Sequence, residues 1–159
     1  HVRSRRQRQM CIRDRIDPLS PYSRALKKIE ESGIRPTKQR RILAKLIFEK
    51  GDRHISAENL FDEVKKEDRK ISMATIYNTL KQFTSLGLIR EIVVDQNKSL
   101  YCNNNKSHYH LYIEDEGKIH DIPTKNINLD IPSIPACLSL HNIDVIVRVR
   151  SLKEDQKKN

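Results

Sequence analysis

His108 and His110 stand two residues apart in Ser107–Ile113, a run that alternates like a strand. Successive side chains of a strand point to opposite faces, so both imidazoles project from the same face. Two imidazoles so placed chelate a borderline divalent ion. Asp121, on the strand expected to pair with this one, adds a carboxylate. A His-x-His pair by itself is an ordinary surface feature, so its meaning depends on the frame around it. His120 falls on the face opposite Asp121, and His141 and Cys137 have no partner in the pattern. There is no HExxH, no nucleophile motif, no phosphate loop and no paired general base, which argues against a small metallohydrolase and against an enzyme in general.

A second constellation lies in Ser72–Gly87, SMATIYNTLKQFTSLG. Ser72 suits a helix N-cap. Ile76, Leu80 and Phe83 form one apolar stripe at helical spacing, and Gly87 suits a left-handed stop. The opposite face carries Thr75, Tyr77, Asn78, Lys81 and Gln82, side-chain types that hydrogen-bond base edges, meet a thymine methyl or hold a phosphate.

The charge distribution supports a nucleic-acid partner. The 159 residues carry a net charge of +10, with 33% charged residues and a mean hydropathy of −0.71. Residues 1–20 hold 6 basic and 2 acidic side chains, residues 21–105 hold 17 and 11, and residues 106–159 hold 8 and 8. The excess thus accompanies the polar-faced helix, and the C-terminal third is neutral. No apolar run approaches membrane-spanning length, and no basic start is followed by an apolar run. Cys11, Cys102 and Cys137 form no CxxC pair and are odd in number. Neither a structural zinc site of paired cysteines nor a disulfide framework is expected, and a reducing cytoplasm is the expected location.

The elements that must position these groups follow in order. Residues 1–21 read as a disordered or non-native basic arm, of which 1–17 show no periodicity. Tyr22–Ser32 is expected to be a short helix closed by Gly33. Ile34–Thr37 is extended, because proline disfavours helix in the preceding residue. Thr37 caps a second helix, with Ile42, Leu43, Leu46 and Ile47 inward, and Ser56 caps a third, with Ala57, Leu60, Phe61 and Val64 inward. Leu88–Val94 and Ser99–Cys102 are expected to form a hairpin around Asp95–Lys98. Residues 22–102 thus read as a winged helix-turn-helix domain, residues 103–107 as a hinge and residues 108–150 as a metal-sensing dimerisation domain. Residues 151–159 read as a polar tail. In the C-terminal part the expected elements are strands at 107–113, 119–122 and 143–149 and a short helix around Ala136–Leu140. The fold class is α+β: an N-terminal winged helix-turn-helix domain plus a small C-terminal α/β dimerisation domain. So few elements bury little apolar surface alone, and pairing with a second copy also suits palindromic DNA.

The strings RPTKQRRIL, HISAENLFDEV, ISMATIYNTLKQFTSLGLI, KSLY and HYHLY…GKIHDI occur in that order. In order and spacing they resemble the ferric uptake regulator family of bacterial repressors, over roughly residues 22–122. The DIP after the histidines, the absent cysteine pairs and the closing VIVRVR look like one branch, the iron response regulator of alphaproteobacteria. The resemblance implies that Tyr77 contacts bases and that Arg35 reaches into the minor groove. Asn78 stands where the family usually has arginine. The resemblance also implies a regulatory metal site bridging the two domains, with His54, His108, His110 and Asp121 as ligands. Cys102 stands where the family often has a glutamate ligand; a thiolate there either tilts the site towards zinc or lies outside the ligand set. The family's second site is not implied, since its histidine and aspartate fall on Ser107 and Tyr109.

The expectation is therefore an iron-responsive transcription regulator, mainly a repressor. It binds A/T-rich palindromic operator DNA as a homodimer, through Arg35, Thr75, Tyr77, Asn78 and Lys81. Its affinity is tuned by Fe²⁺, Mn²⁺ or Zn²⁺, by haem, or by both. The alternatives are a constitutive DNA-binding protein without metal sensing and the metallohydrolase.

Overall fold

The computed structural model describes residues 20–152. The expected basic arm, apart from its last two residues, and most of the polar tail lie outside them. The described residues form two compact units, the first ending at Asn104 and the second beginning at Asn105.

The first unit contains α1 (Pro21–Glu31), α2 (Lys38–Phe48), β1 (His54–Ile55), α3 (Ala57–Lys66), α4 (Met73–Ser85), β2 (Arg90–Asp95) and β3 (Lys98–Cys102). Each helix starts where a hydroxyl accepts a backbone N–H three residues on: Ser20 from Ser23, Thr37 from Arg40, Ser56 from Asn59 and Ser72 from Thr75. The apolar faces of all four helices meet in one core, where Ile29, Leu43, Ile47, Leu60, Ile76 and Leu80 are fully buried. Phe48 and Phe83 close it, with ring centroids 6.5 Å apart. The expected inward residues Ile42 and Phe61 are only partly buried against it, and Lys65 lies over the Phe61 ring.

After α4 the chain turns at Gly87, whose φ of +61° a side chain would strain. The sheet has strand order β1-β3-β2, antiparallel throughout. Its hairpin needs no glycine, because the Asp95 carboxylate accepts the Gln96 N–H at 2.7 Å and the register shifts between Val93 and Asp95. β1 is a difference from expectation. No strand is expected from the sequence before the third helix, yet His54 and Ile55, the extended residues before the Ser56 cap, pair with the end of β3.

Asn103, the first residue of the expected hinge, is buried in the first unit. Its side-chain N–H groups donate to the Ile47 and Gly51 carbonyls, and its oxygen accepts the Arg53 N–H at 2.6 Å.

The second unit is a three-stranded sheet of order β5-β4-β6, comprising β4 (His108–Ile113), β5 (Lys118–Pro123) and β6 (Ile146–Val149). β4 and β5 are antiparallel, and β6 runs parallel to β4. The helix expected around Ala136–Leu140 is absent. Pro132 and Pro135 interrupt the segment, and one turn forms where the Leu138 N–H meets the Pro135 carbonyl at 2.9 Å. Leu138 and Leu140 are exposed, so the packing that gives a short helix most of its stability is missing. A 3-10 turn at Thr124–Asn126 is the helical element of this unit among the described residues.

Candidate nucleic-acid interface and metal centre

In the first unit, α4 buries Ile76, Thr79, Leu80 and Phe83 and turns its polar face outward. Tyr77, Asn78 and Lys81 are exposed, and Thr75 is half-buried, with its hydroxyl 2.9 Å from that of Ser72. Arg35 is exposed on the extended link before α2. Arg40, which sequence reasoning did not single out, ties these pieces together. Its Nε donates to Gln82 Oε1 at 2.8 Å and its Nη1 to the Arg35 carbonyl at 2.9 Å. A concavity of about 500 Å³ lies here, lined by Thr37, Arg40, Thr75, Asn78, Lys81 and Gln82 among others. Three of the five expected DNA-contacting side chains (Thr75, Asn78 and Lys81) thus line this concavity, Tyr77 turns instead towards Glu58, and Arg40 bonds the backbone of the fifth, Arg35. The lining mixes cations with amide and hydroxyl groups, the chemistry that meets phosphates and base edges.

Glu58 was also not singled out from the sequence. Its carboxylate, in the first turn of α3, accepts the Tyr77 hydroxyl at 2.7 Å. Only its place inside the HISAE string offered a signal. The Tyr77 hydrogen bond, helped by backbone and Ser56 donors, holds the Glu58 carboxyl below its usual range, and Glu58 in turn raises the Tyr77 phenol. Nearby, burial first and Glu91 second push the Tyr101 phenol up to about 12.

The first unit also brings together two of the expected metal ligands. His54 on β1 and Cys102 on β3 are direct cross-strand partners, and their ligand atoms lie within 4.8 Å of each other. Cys102 is fully buried, and its sulfur accepts the Asn104 N–H at 3.4 Å.

The second unit assembles the other three. His108, His110 and Tyr112 share the buried face of β4, and the register sets Asp121 opposite His110. His108 Nε2 is 3.0 Å from His110 Nε2, and Asp121 Oδ1 is 3.5 Å from the first and 3.9 Å from the second. His108 Nδ1 is 2.6 Å from the Lys106 carbonyl. A carbonyl only accepts, so Nδ1 carries the proton and the neutral ring presents a lone pair at Nε2. An outer hydrogen bond of this kind orients a metal-binding histidine. Atoms on one ion at about 2.1 Å lie roughly 3.0–3.4 Å apart, close to the two shorter separations. Two imidazoles and a carboxylate form a donor set that suits a divalent ion. A haem iron would need one imidazole standing clear, whereas these two are buried and converge.

The ferric uptake regulator family model matches residues 31–147. The chain belongs to the ferric uptake regulator family. A curated relative, the peroxide-responsive repressor PerR of Staphylococcus aureus strain Mu50, is 30% identical over 100 residues, which span 63% of this chain and 67% of PerR. The ferric uptake regulator from Pseudomonas aeruginosa with manganese superposes with a TM-score of 0.64 at 19% identity, covering 81% of this chain and 98% of that one. A zinc-bound manganese uptake regulator superposes with a TM-score of 0.57 at 25% identity, covering 80% of this chain and 98% of that one. The α+β class is that of these family structures, and the relatives named are regulators rather than enzymes. No helix among the described residues is long and apolar enough to cross a membrane.

Proposed function

We propose that this chain is a cytoplasmic, metal-responsive transcription regulator, mainly a repressor, that binds A/T-rich palindromic operator DNA as a homodimer. The observation that carries the metal half is the convergence of His108 Nε2, His110 Nε2 and Asp121 Oδ1 on one point. For the DNA half it is the polar face of α4, braced by Arg40.

His108, His110 and Asp121 hold a divalent ion; the resemblance adds His54 as a ligand and leaves Cys102 either a thiolate donor or outside the ligand set. The ion supplies positive charge to which neutral imidazoles and a carboxylate bind at once. The resemblance implies an ion shared by the two domains, and an ion so shared would favour one of their mutual orientations. Two recognition helices enter successive major grooves only at the right separation, so ion occupancy and operator affinity become linked. The branch features DIP and VIVRVR favour iron as the status read. If Cys102 joins the set as a thiolate, it favours zinc among the ions accepted, as in the zinc-bound relative.

Dimerisation is assigned to the second unit, which exposes Leu129, Ile131, Ile134, Leu138 and Leu140. Apolar side chains so concentrated mark an interaction surface.

The test is binding of the full chain to a random duplex pool, followed by titration of the selected duplex with Mn²⁺, Zn²⁺ and haem. The reading expects one A/T-rich palindrome to be selected and its affinity to change at least fivefold with an ion. Selection with no response to any ion returns the constitutive DNA-binding alternative. A response to haem alone overturns the ion site.

A further inference from the structure

We propose that Glu58 sets the hydrogen-bond polarity of Tyr77, so that the phenolic oxygen faces DNA as an acceptor and reads an exocyclic amine, adenine N6 or cytosine N4. This rests on the reading of α4 as the DNA-facing helix.

The geometry leaves little freedom. The two residues meet at the side of a groove of about 570 Å³ between the start of α3 and the hairpin, lined also by Glu91, Lys98, Ser99 and Tyr101. Glu58 is charged at neutral pH, because its carboxyl lies below its usual range, with Lys98 contributing. An ionised carboxylate accepts and cannot donate. The 2.7 Å contact must therefore consume the one proton that the Tyr77 hydroxyl owns. Tyr77 is 47% exposed, and a phenolic oxygen that donates its proton keeps its acceptor lone pairs.

The major-groove pattern turns this into a preference. Adenine and cytosine offer an amine donor there, whereas guanine offers only acceptors at N7 and O6, and thymine an acceptor at O4 beside its methyl group. An acceptor-only phenol pairs with the first two and is repelled by the acceptors of the others. A phenol with its proton unclaimed would turn to suit either, and the preference would vanish. Glu58 is thus a positioning residue for specificity: it need not touch DNA, and its charge should weaken operator and random DNA alike.

The experiment compares the full chain with Tyr77→Phe, Glu58→Ala and the isosteric Glu58→Gln, each selecting from a random duplex pool with Mn²⁺ present. The selected duplex is then remade with purine, which lacks the N6 amine, in place of adenine. The parent should select an amine-bearing base at one position per half-site and lose about tenfold on the purine duplex, the scale of one base hydrogen bond. Tyr77→Phe should lose that preference. Glu58→Ala should admit guanine and thymine at the same position while keeping the rest of the selected sequence, and Glu58→Gln, whose amide can either accept from or donate to the phenol, should admit them in part. Glu58→Gln guards against a folding defect in the alanine variant. If both Glu58 variants keep the parent's preference, the proposal falls and the DNA-binding reading stands. If Tyr77→Phe keeps it, the hydroxyl reads nothing and the proposal falls as well. If the parent selects no sequence at all, the DNA-binding reading falls first and takes the proposal with it.

Discussion

His108 is locked in one tautomer by the Lys106 carbonyl, and its other ring nitrogen faces that of His110 across 3.0 Å. The pair is therefore prepared for an ion rather than merely near one. His110→Ala should lower Mn²⁺ and Zn²⁺ affinity by more than the 10–100-fold typical of losing an outer-shell partner. The far-UV circular dichroism should remain that of the parent. Isothermal titration of both proteins checks this; undiminished affinity would remove the triad from the metal site.

His54 and Cys102 make the claim that the ion is shared by both units testable. His54→Ala should retain some ion on the remaining donors yet lose most of the link to DNA, typically 1–3 kcal/mol. Cys102→Ser should shift preference from Zn²⁺ towards Mn²⁺, because a hydroxyl is a harder donor than a thiolate. Operator binding with and without each ion is the measurement. A His54→Ala variant that responds as the parent does confines the site to the second unit.

The polar face of α4 predicts two separable losses. Lys81→Ala should flatten the dependence of log K on log salt by about 0.9 per phosphate contact removed. Tyr77→Ala should instead narrow the gap between operator and random DNA by roughly 1–3 kcal/mol. Arg35→Ala should weaken binding most at A/T-rich flanks, whose narrow minor groove attracts arginine. Filter binding across a salt series separates them, and a parent slope near zero would end the nucleic-acid reading.

What could be read in advance was local. Thr37, Ser56 and Ser72 were visible as caps because each bonds a residue three positions on. The shared face of His108 and His110 follows from strand alternation alone. The rest depends on partners distant in the chain. Arg40 finds Gln82 across 42 residues, Glu58 finds Tyr77 across 19, and β1 exists only because β3 lies beside it. The helix expected near Ala136 failed for the converse reason: its apolar residues had nothing to pack against.

The apolar segment of the second unit predicts the assembly. The full chain should sediment as a dimer, and the double variant Ile131→Asp, Leu138→Asp should sediment as a monomer. Two charges placed on a buried interface cannot be solvated there. A parent that remains monomeric across concentration would assign those side chains another role.

The end of the first unit is held by a half-buried ionic cluster whose pH dependence has a definite sign. Arg53 and Lys50 both bond the Glu63 carboxylate, and the Arg53 backbone N–H bonds Asn103. Burial alone would raise the Glu63 carboxyl, but the hydrogen bonds from Arg53 and Lys50 outweigh it and hold it below the usual 4.5. A carboxyl depressed in the folded state contributes stability that is present above its unfolded value and is lost as pH falls through the folded one. Glu63→Gln should therefore cost roughly 1.5–3 kcal/mol at pH 7, the scale of hydrogen bonds to a charged group. The parent's advantage over the variant should then shrink steadily below about pH 4.5. Asn103→Ala leaves the Ile47 and Gly51 carbonyls and the Arg53 N–H without their partner, and should cost roughly 1–3 kcal/mol at every pH. Urea unfolding of the three proteins between pH 3 and pH 7 is the check. A Glu63→Gln deficit that stays constant down to pH 3 would show that the carboxylate charge contributes nothing to holding this end of the unit.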